Sequence, residues 1–170
     1  LFTTIRRASL PRLRHDQGTM FLKFFEFHMS SGVFIDAPSE LVWRIVEDAE
    51  RWPEWSKGCT EVWGAPIGKS WCADHKFGFK LRMACRNVPF SVTISRIDSG
   101  RLIEWRSTKF SITAVRSISI ESDGDGCRVM DRKHFSSTLL PIRLTYPRWL
   151  IRQMTESWLG DMKAEAELSK

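Results

Sequence analysis

The sequence predicts an α+β domain with an antiparallel sheet of about six to seven strands, two short helices after the first strand and one long C-terminal helix able to lie across the sheet. Three patterns lead to it. Apolar and polar residues alternate from Phe25 to Ile35 and again through much of residues 60–137, the period of a half-buried strand. Turns rich in glycine and aspartate separate successive strands, which pairs neighbours antiparallel. After Pro141 the spacing becomes helical, with Ile151, Met154, Trp158 and Met162 on one stripe.

Residues 1–19 come before this pattern. Arg6, Arg7, Arg12 and Arg14 face Asp16 alone there, which places half of the chain's formal charge of +6 in the segment. It reads as a disordered basic tail or a non-native extension upstream of Met20, with a transit-like peptide as a further alternative, and the domain is taken as residues 20–170. In the first strand Phe25, Phe27, Met29, Ser31, Val33 and Ile35 form one mostly apolar face, with Glu26, His28 and Ser30 opposite. Pro38 suits a first helical turn, with Asp36 as candidate cap. Val42, Ile45, Val46 and Ala49 supply the buried stripe of that helix. Pro53 interrupts any continuation, so Ala49–Trp55 is a second short helix or turn.

Strands are expected over Thr60–Gly64, Ser70–Arg86, Phe90–Ile97, Leu102–Thr108, Ser111–Glu121 and Arg128–Ser137. The turns between them include Gly64–Gly68, Asp98–Gly100 and the hairpin signal Asp123–Gly126. The final helix should run about twenty residues, roughly 30 Å, long enough to cross a sheet.

Bulk composition narrows the function classes. A chain of 170 residues, 42% hydrophobic and 27% charged, fits one globular domain with its own core. Outside the tail the charge is only mildly basic and no stripe of cations interleaves with aromatics, so nucleic acid is not an expected partner. Cys59, Cys72, Cys85 and Cys127 lack metal-ligand spacing, and no metal or cofactor is expected. Lys23 and Glu26 interrupt the longest apolar run, so no integral membrane segment is expected and the location is taken as cytoplasmic, with organelle targeting by the tail left open. A glycine-rich strand-to-helix loop is missing, which argues against dinucleotide binding.

The stretch Val33-Phe-Ile-Asp-Ala-Pro-Ser-Glu-Leu-Val-Trp-Arg-Ile-Val-Glu-Asp, followed by Glu50-Arg-Trp-Pro-Glu-Trp, resembles the opening of the START/polyketide-cyclase (SRPBCC) superfamily. The resemblance covers residues 24–169. It implies a helix-grip fold whose sheet and long helix enclose a cavity for lipids, polyketides, quinones or similar ligands. It carries no shared catalytic motif.

Alternation nominates the cavity wall. Trp71, His75, Phe77 and Phe79 fall on one face of the strand expected over Ser70–Arg86, with His75 the polar exception. Arg116 breaks the inward row Ile112, Ala114, Ile118 and Ile120, and a lone buried charge demands a partner. Asp131, opposite or diagonal across the Asp123–Gly126 hairpin and on the face of Val129 and Phe135, supplies one. Trp105, Met154 and Trp158 complete the ligand-binding set, while His28 and His134 fall on outer faces.

Three functions fit. The first is binding or carrying a small apolar ligand. The second is a polyketide cyclase/dehydrase-like reaction, in which His75 with Arg116 and Asp131 moves a proton and stabilises an enolate. The third is a protein-interaction or membrane-surface module using the basic tail and exposed Trp52 and Trp55. Oligomeric state is open.

Overall fold

Alternation becomes sheet wherever one face can be covered, and here the cover is the last helix. A computed structural model of the chain describes residues 25–66, 70–83, 86–109, 111–139 and 141–170. The tail expected over residues 1–19 and Cys85 lie outside the described residues. The elements are β1 (Glu26–Ile35), α1 (Ser39–Glu47), a 3₁₀ turn (Ala49–Arg51), α2 (Trp52–Trp55), β2 (Cys59–Trp63), β3 (Lys76–Met83), β4 (Arg86–Asp98), β5 (Leu102–Lys109), β6 (Ile112–Asp123), β7 (Gly126–Ser137), α3 (Ile142–Thr145) and α4 (Arg148–Leu168).

The strands form one seven-stranded antiparallel sheet in the order β1-β7-β6-β5-β4-β3-β2. From β2 to β7 it is a meander, and β1 joins beside β7 at the far edge. Tight turns set the register: Gly100 and Gly124 have φ of 83° and 63°, left-handed backbone that glycine adopts without penalty. The second of these hairpins aligns Arg116 with Lys133 and Ile118 with Asp131.

Helix α4 packs on β1 and α1, burying Thr155, Trp158, Leu159, Met162 and Ala166. Its C-terminal end is tied to β1: Lys163 Nζ donates to the Phe34 carbonyl at 2.8 Å, the Asp36 N–H donates to Glu167 at 2.9 Å, and Lys170 pairs with Asp36 at 2.9 Å. Asp36 therefore does not cap α1. Pro38 occupies the cap position, with no side-chain cap bond. The buried Asp161 carboxylate accepts the Lys57 N–H at 2.9 Å, which fixes the loop after α2 to the same helix.

Two expectations change. The strand expected over Ser70–Arg86 begins only at Lys76, because Ala73-Asp74 make a turn in which Asp74 has φ of 65°. Asp tolerates that conformation, and it breaks the alternation between Trp71 and Phe77. The second concerns α2. Trp52 is 2% exposed and Trp55 is half-buried, so neither is the open tryptophan that surface attachment needs. Trp52 sits at the centre of an aromatic cluster, about 6 Å between ring centroids from each of Phe77, Phe79, Trp105 and Trp158.

Candidate functional site

Between the inner face of the sheet and α4 lies a cavity of about 450 Å³. Its apolar walls come from Phe79 and Leu81 on β3, Phe90 and Val92 on β4, Trp105 on β5 and Phe135 on β7. Tyr146, Ile151, Met154 and Trp158 close it from the helical side. Alternation puts the strand residues there, since each points inward in the pleat. Phe135 also belongs to a second apolar cluster with Phe27 and Ile142, which seals the α3 end. At the opposite end Trp52 fills the gap between sheet and helix, with Phe77 and Trp71 behind it.

One wall is charged. Asp131 is buried to 0% side-chain exposure and accepts from two cations. Arg116 donates to its Oδ2 from Nε at 2.9 Å and from Nη2 at 2.6 Å. Lys133 donates to both oxygens at 2.9 Å and to Thr155 Oγ1 at 2.6 Å. The Thr155 hydroxyl in turn donates to the Ile151 carbonyl at 2.7 Å, so the network runs from the sheet into α4. The Arg116 guanidinium also lies over Trp158 at 4.2 Å and Trp105 at 5.2 Å from the ring centroids, two cation–π contacts in a poorly hydrated place.

Burial, with Arg116 beside it, holds the Lys133 ammonium well below the usual lysine range, at about 7, although Asp131 pulls the other way. One carboxylate thus serves two cations. Among the described residues Arg116 Nη1 has no hydrogen-bond acceptor, and both Arg116 and Lys133 border the cavity.

Of the residues nominated from the sequence, Phe79, Trp105, Arg116, Met154 and Trp158 line this cavity. Asp131 sits directly behind Arg116 and Lys133. Trp71 and Phe77 are core residues outside it: the Trp71 indole donates to the Glu47 carbonyl at 2.6 Å, and Phe77 stacks edge-on against Trp71. His75 lies apart from Arg116, with Nε2 2.7 Å from the Gly64 carbonyl oxygen and its ring against Trp71. Lys133 was missed. It shares the parity of Val129, Asp131 and Phe135 on β7, so the alternation that selected Asp131 already placed it inward. Thr155 and Tyr146 were not singled out as site residues either, and only the cavity's shape brings them in.

Residues 26–167 match the family model described as polyketide cyclase / dehydrase and lipid transport. The chain belongs to that family. Its helix-grip fold is also that of solved START-like structures. The aromatase/cyclase Zhui from Streptomyces sp. R1128 superposes with a TM-score of 0.69 at 14% identity, covering 84% of this chain and 94% of that one. A START superfamily protein from Mycobacterium smegmatis gives 0.70 at 16% identity, over 84% and 99%. Major latex-like protein 151 from Panax ginseng gives 0.70 at 9% identity, over 84% and 98%. No curated protein matches the sequence. At these identities the structures speak for the fold of this cyclase/dehydrase and lipid transport family member, and the chemistry must be argued from its own cavity.

Proposed function

We propose that the protein binds and carries a small, mostly apolar molecule bearing one anionic or strongly electron-rich oxygen. The observation that carries this is the cationic wall: Arg116 and Lys133 share a single buried carboxylate at the edge of an otherwise aromatic and aliphatic cavity. Such a site pairs apolar enclosure with one polar anchor that fixes orientation, a common division of labour in ligand pockets. A carboxylate or enolate oxygen would take the free Arg116 donor and offset the excess positive charge. The family, described as polyketide cyclase / dehydrase and lipid transport, is compatible with lipid or polyketide ligands.

The test is native mass spectrometry of protein purified without detergent, followed by titration with medium-chain fatty acids and matching neutral alcohols. Retained apolar adducts and a preference for the acid support the reading. Equal affinity for acid and alcohol removes the anchor, and no uptake of either removes the carrier role.

A cyclase/dehydrase-like reaction is a second reading, and Lys133 is the observation that favours it. An amine titrating near 7 inside the cavity can accept a proton from carbon next to a ligand carbonyl, while Arg116 stabilises the enolate oxygen. His75 takes no part, since its imidazole is committed to Gly64 outside the cavity. Proton–deuterium exchange at the α-carbon of an aromatic methyl ketone, lost in Lys133→Met, would establish it.

A membrane-surface role has a different basis from the one sequence suggested. Leu139, Leu144 and Trp149 are 76%, 71% and 71% exposed, on and beside α3 and the start of α4. They flank the cavity-lining Tyr146 and Leu150, with Arg148 and Arg152 nearby on α4. Apolar side chains among arginines at a cavity rim suit contact with an anionic lipid surface.

A further inference from the structure

The outer face of the sheet holds a constellation that the cavity does not use. β1 and β7 pair so that His28 stands directly opposite His134, and Glu26 lies two residues along β1 on the same face. The two imidazoles stack with centroids 4.3 Å apart and planes 10° from parallel. Glu26 Oε2 lies 3.5 Å from His134 Nε2, which is itself buried and makes no hydrogen bond among the described residues. One donor atom from each of the three residues falls within 4.8 Å of the other two. The cation nearest in the pleat, Arg132, is directed away, donating to Ser119 Oγ at 3.1 Å. Beside the trio runs a groove of about 370 Å³ lined by Ser30, Glu104, Ser117 and Arg132 as well as the two histidines.

From this juxtaposition we propose a divalent metal site formed by Glu26, His28 and His134, with an open coordination position facing the groove. Two imidazoles and one carboxylate suit a borderline ion such as Zn²⁺ or Cu²⁺ rather than Ca²⁺ or Mg²⁺, which prefer oxygen alone. Three protein ligands leave room for water or an exchangeable small anion, and Ser30 and Ser117 would meet that group in the groove. Ligation swings His28 out of the stack. Its ring is exposed, so side-chain torsions alone bring the donors to metal distance, while β-sheet register holds the backbones in place. The lack of cysteine spacing motifs does not bear on this site, because its ligands meet only through the pairing of the first and last strands.

The probe is ZnCl₂ alone, titrated by calorimetry into the full tag-free chain under a non-chelating reductant. The expected result is one tight equivalent. His28→Ala and His134→Ala should each weaken it by more than tenfold, since even loss of an outer partner to a metal ligand costs about 10- to 100-fold. His15→Ala and His75→Ala, the chain's other histidines, should leave it unchanged. Histidine side-chain NMR of the wild type needs no variant: Zn²⁺ should move only the His28 and His134 ring signals. The proposal is overturned if the His28→Ala/His134→Ala double variant takes up zinc like the wild type, or if the ring signals that move belong to His15 or His75.

Discussion

Arg116, Asp131 and Lys133 form the group on which most of the cavity chemistry turns, and each has a separable consequence. Replacing Arg116 with Met leaves Lys133 to neutralise Asp131, so the protein should stay folded while losing its charged donor toward the ligand. Binding of a fatty acid should weaken by about 1.5–3 kcal/mol, the range for hydrogen bonds to charged groups, and binding of the matching alcohol should hardly change. Isothermal titration of both ligands separates these outcomes. Asp131→Asn instead strips Arg116 of its buried counter-charge and pushes Lys133 further toward the neutral amine, and thermal or urea unfolding should register a loss of about 3–5 kcal/mol. Lys133 makes stability depend on pH with a definite sign. Its folded value of about 7 lies below that of the unfolded chain, so between roughly pH 7 and 10 the unfolded state binds more protons. Relative to Lys133→Met, the wild type should therefore gain stability as pH rises through that window, by at most ~1.4 kcal/mol per pH unit. Below pH 7 the difference should be flat, and a difference that falls with rising pH would show that the ammonium is held, not strained, by its partners.

At the scale of elements, α3 and the first turns of α4 carry the surface prediction. Leu144 and Trp149 are too exposed to stabilise the fold much, yet inserting both into a lipid interface would bury surface worth about 1.5–3 kcal/mol each. Leu144→Ser/Trp149→Ser should cut sedimentation with anionic vesicles by more than tenfold and leave unfolding unchanged. If removal of residues 1–19 abolishes binding and the double variant does not, the tail rather than the rim is the contact. These elements also mark the boundary of what the sequence discloses. Strands β5 to β7 were legible because their pairing runs without a register shift and the turns before β5 and β7 carry Gly100 and Gly124, while β4 kept its inward row Phe90, Val92 and Ile94 up to a bulge between Ile94 and Arg96. The stretch before β3 was not, since a single left-handed Asp74 shifts the phase and detaches His75 from the row containing Phe77 and Phe79. The pairing of β1 with β7 joins residues about a hundred positions apart and leaves no local signal. His28 and His134 could be assigned to outer faces from the pattern, but their meeting could not.

The whole molecule is a sheet and a helix held apart at one end and pressed together at the other, and Trp52 decides where the change occurs. Its indole reaches from α2 into the gap between sheet and helix, donates to the Val46 carbonyl at 3.1 Å, and touches aromatics from β3, β5 and α4 at once. Cavity length is thus set by a side chain on neither of the two surfaces that form the walls, a fact that sequence alternation within the strands cannot express. Trp52→Ala should join the vacated space to the cavity of about 450 Å³ and admit a longer ligand. It should also cost about 3–5 kcal/mol, because the neighbouring rings are braced by the sheet and can close only part of the void. Trp52→Phe keeps much of the bulk and loses the hydrogen bond to Val46, so its cost should be smaller and its ligand range close to that of the wild type. Urea unfolding of both variants, with the longest fatty acid retained in native mass spectra, reads the two effects separately. A stable Trp52→Ala with an unchanged chain-length limit would mean that α4 collapses onto β3 and β5, and that the width of the cavity is held by the Arg116–Asp131–Lys133–Thr155 network rather than by the aromatic end.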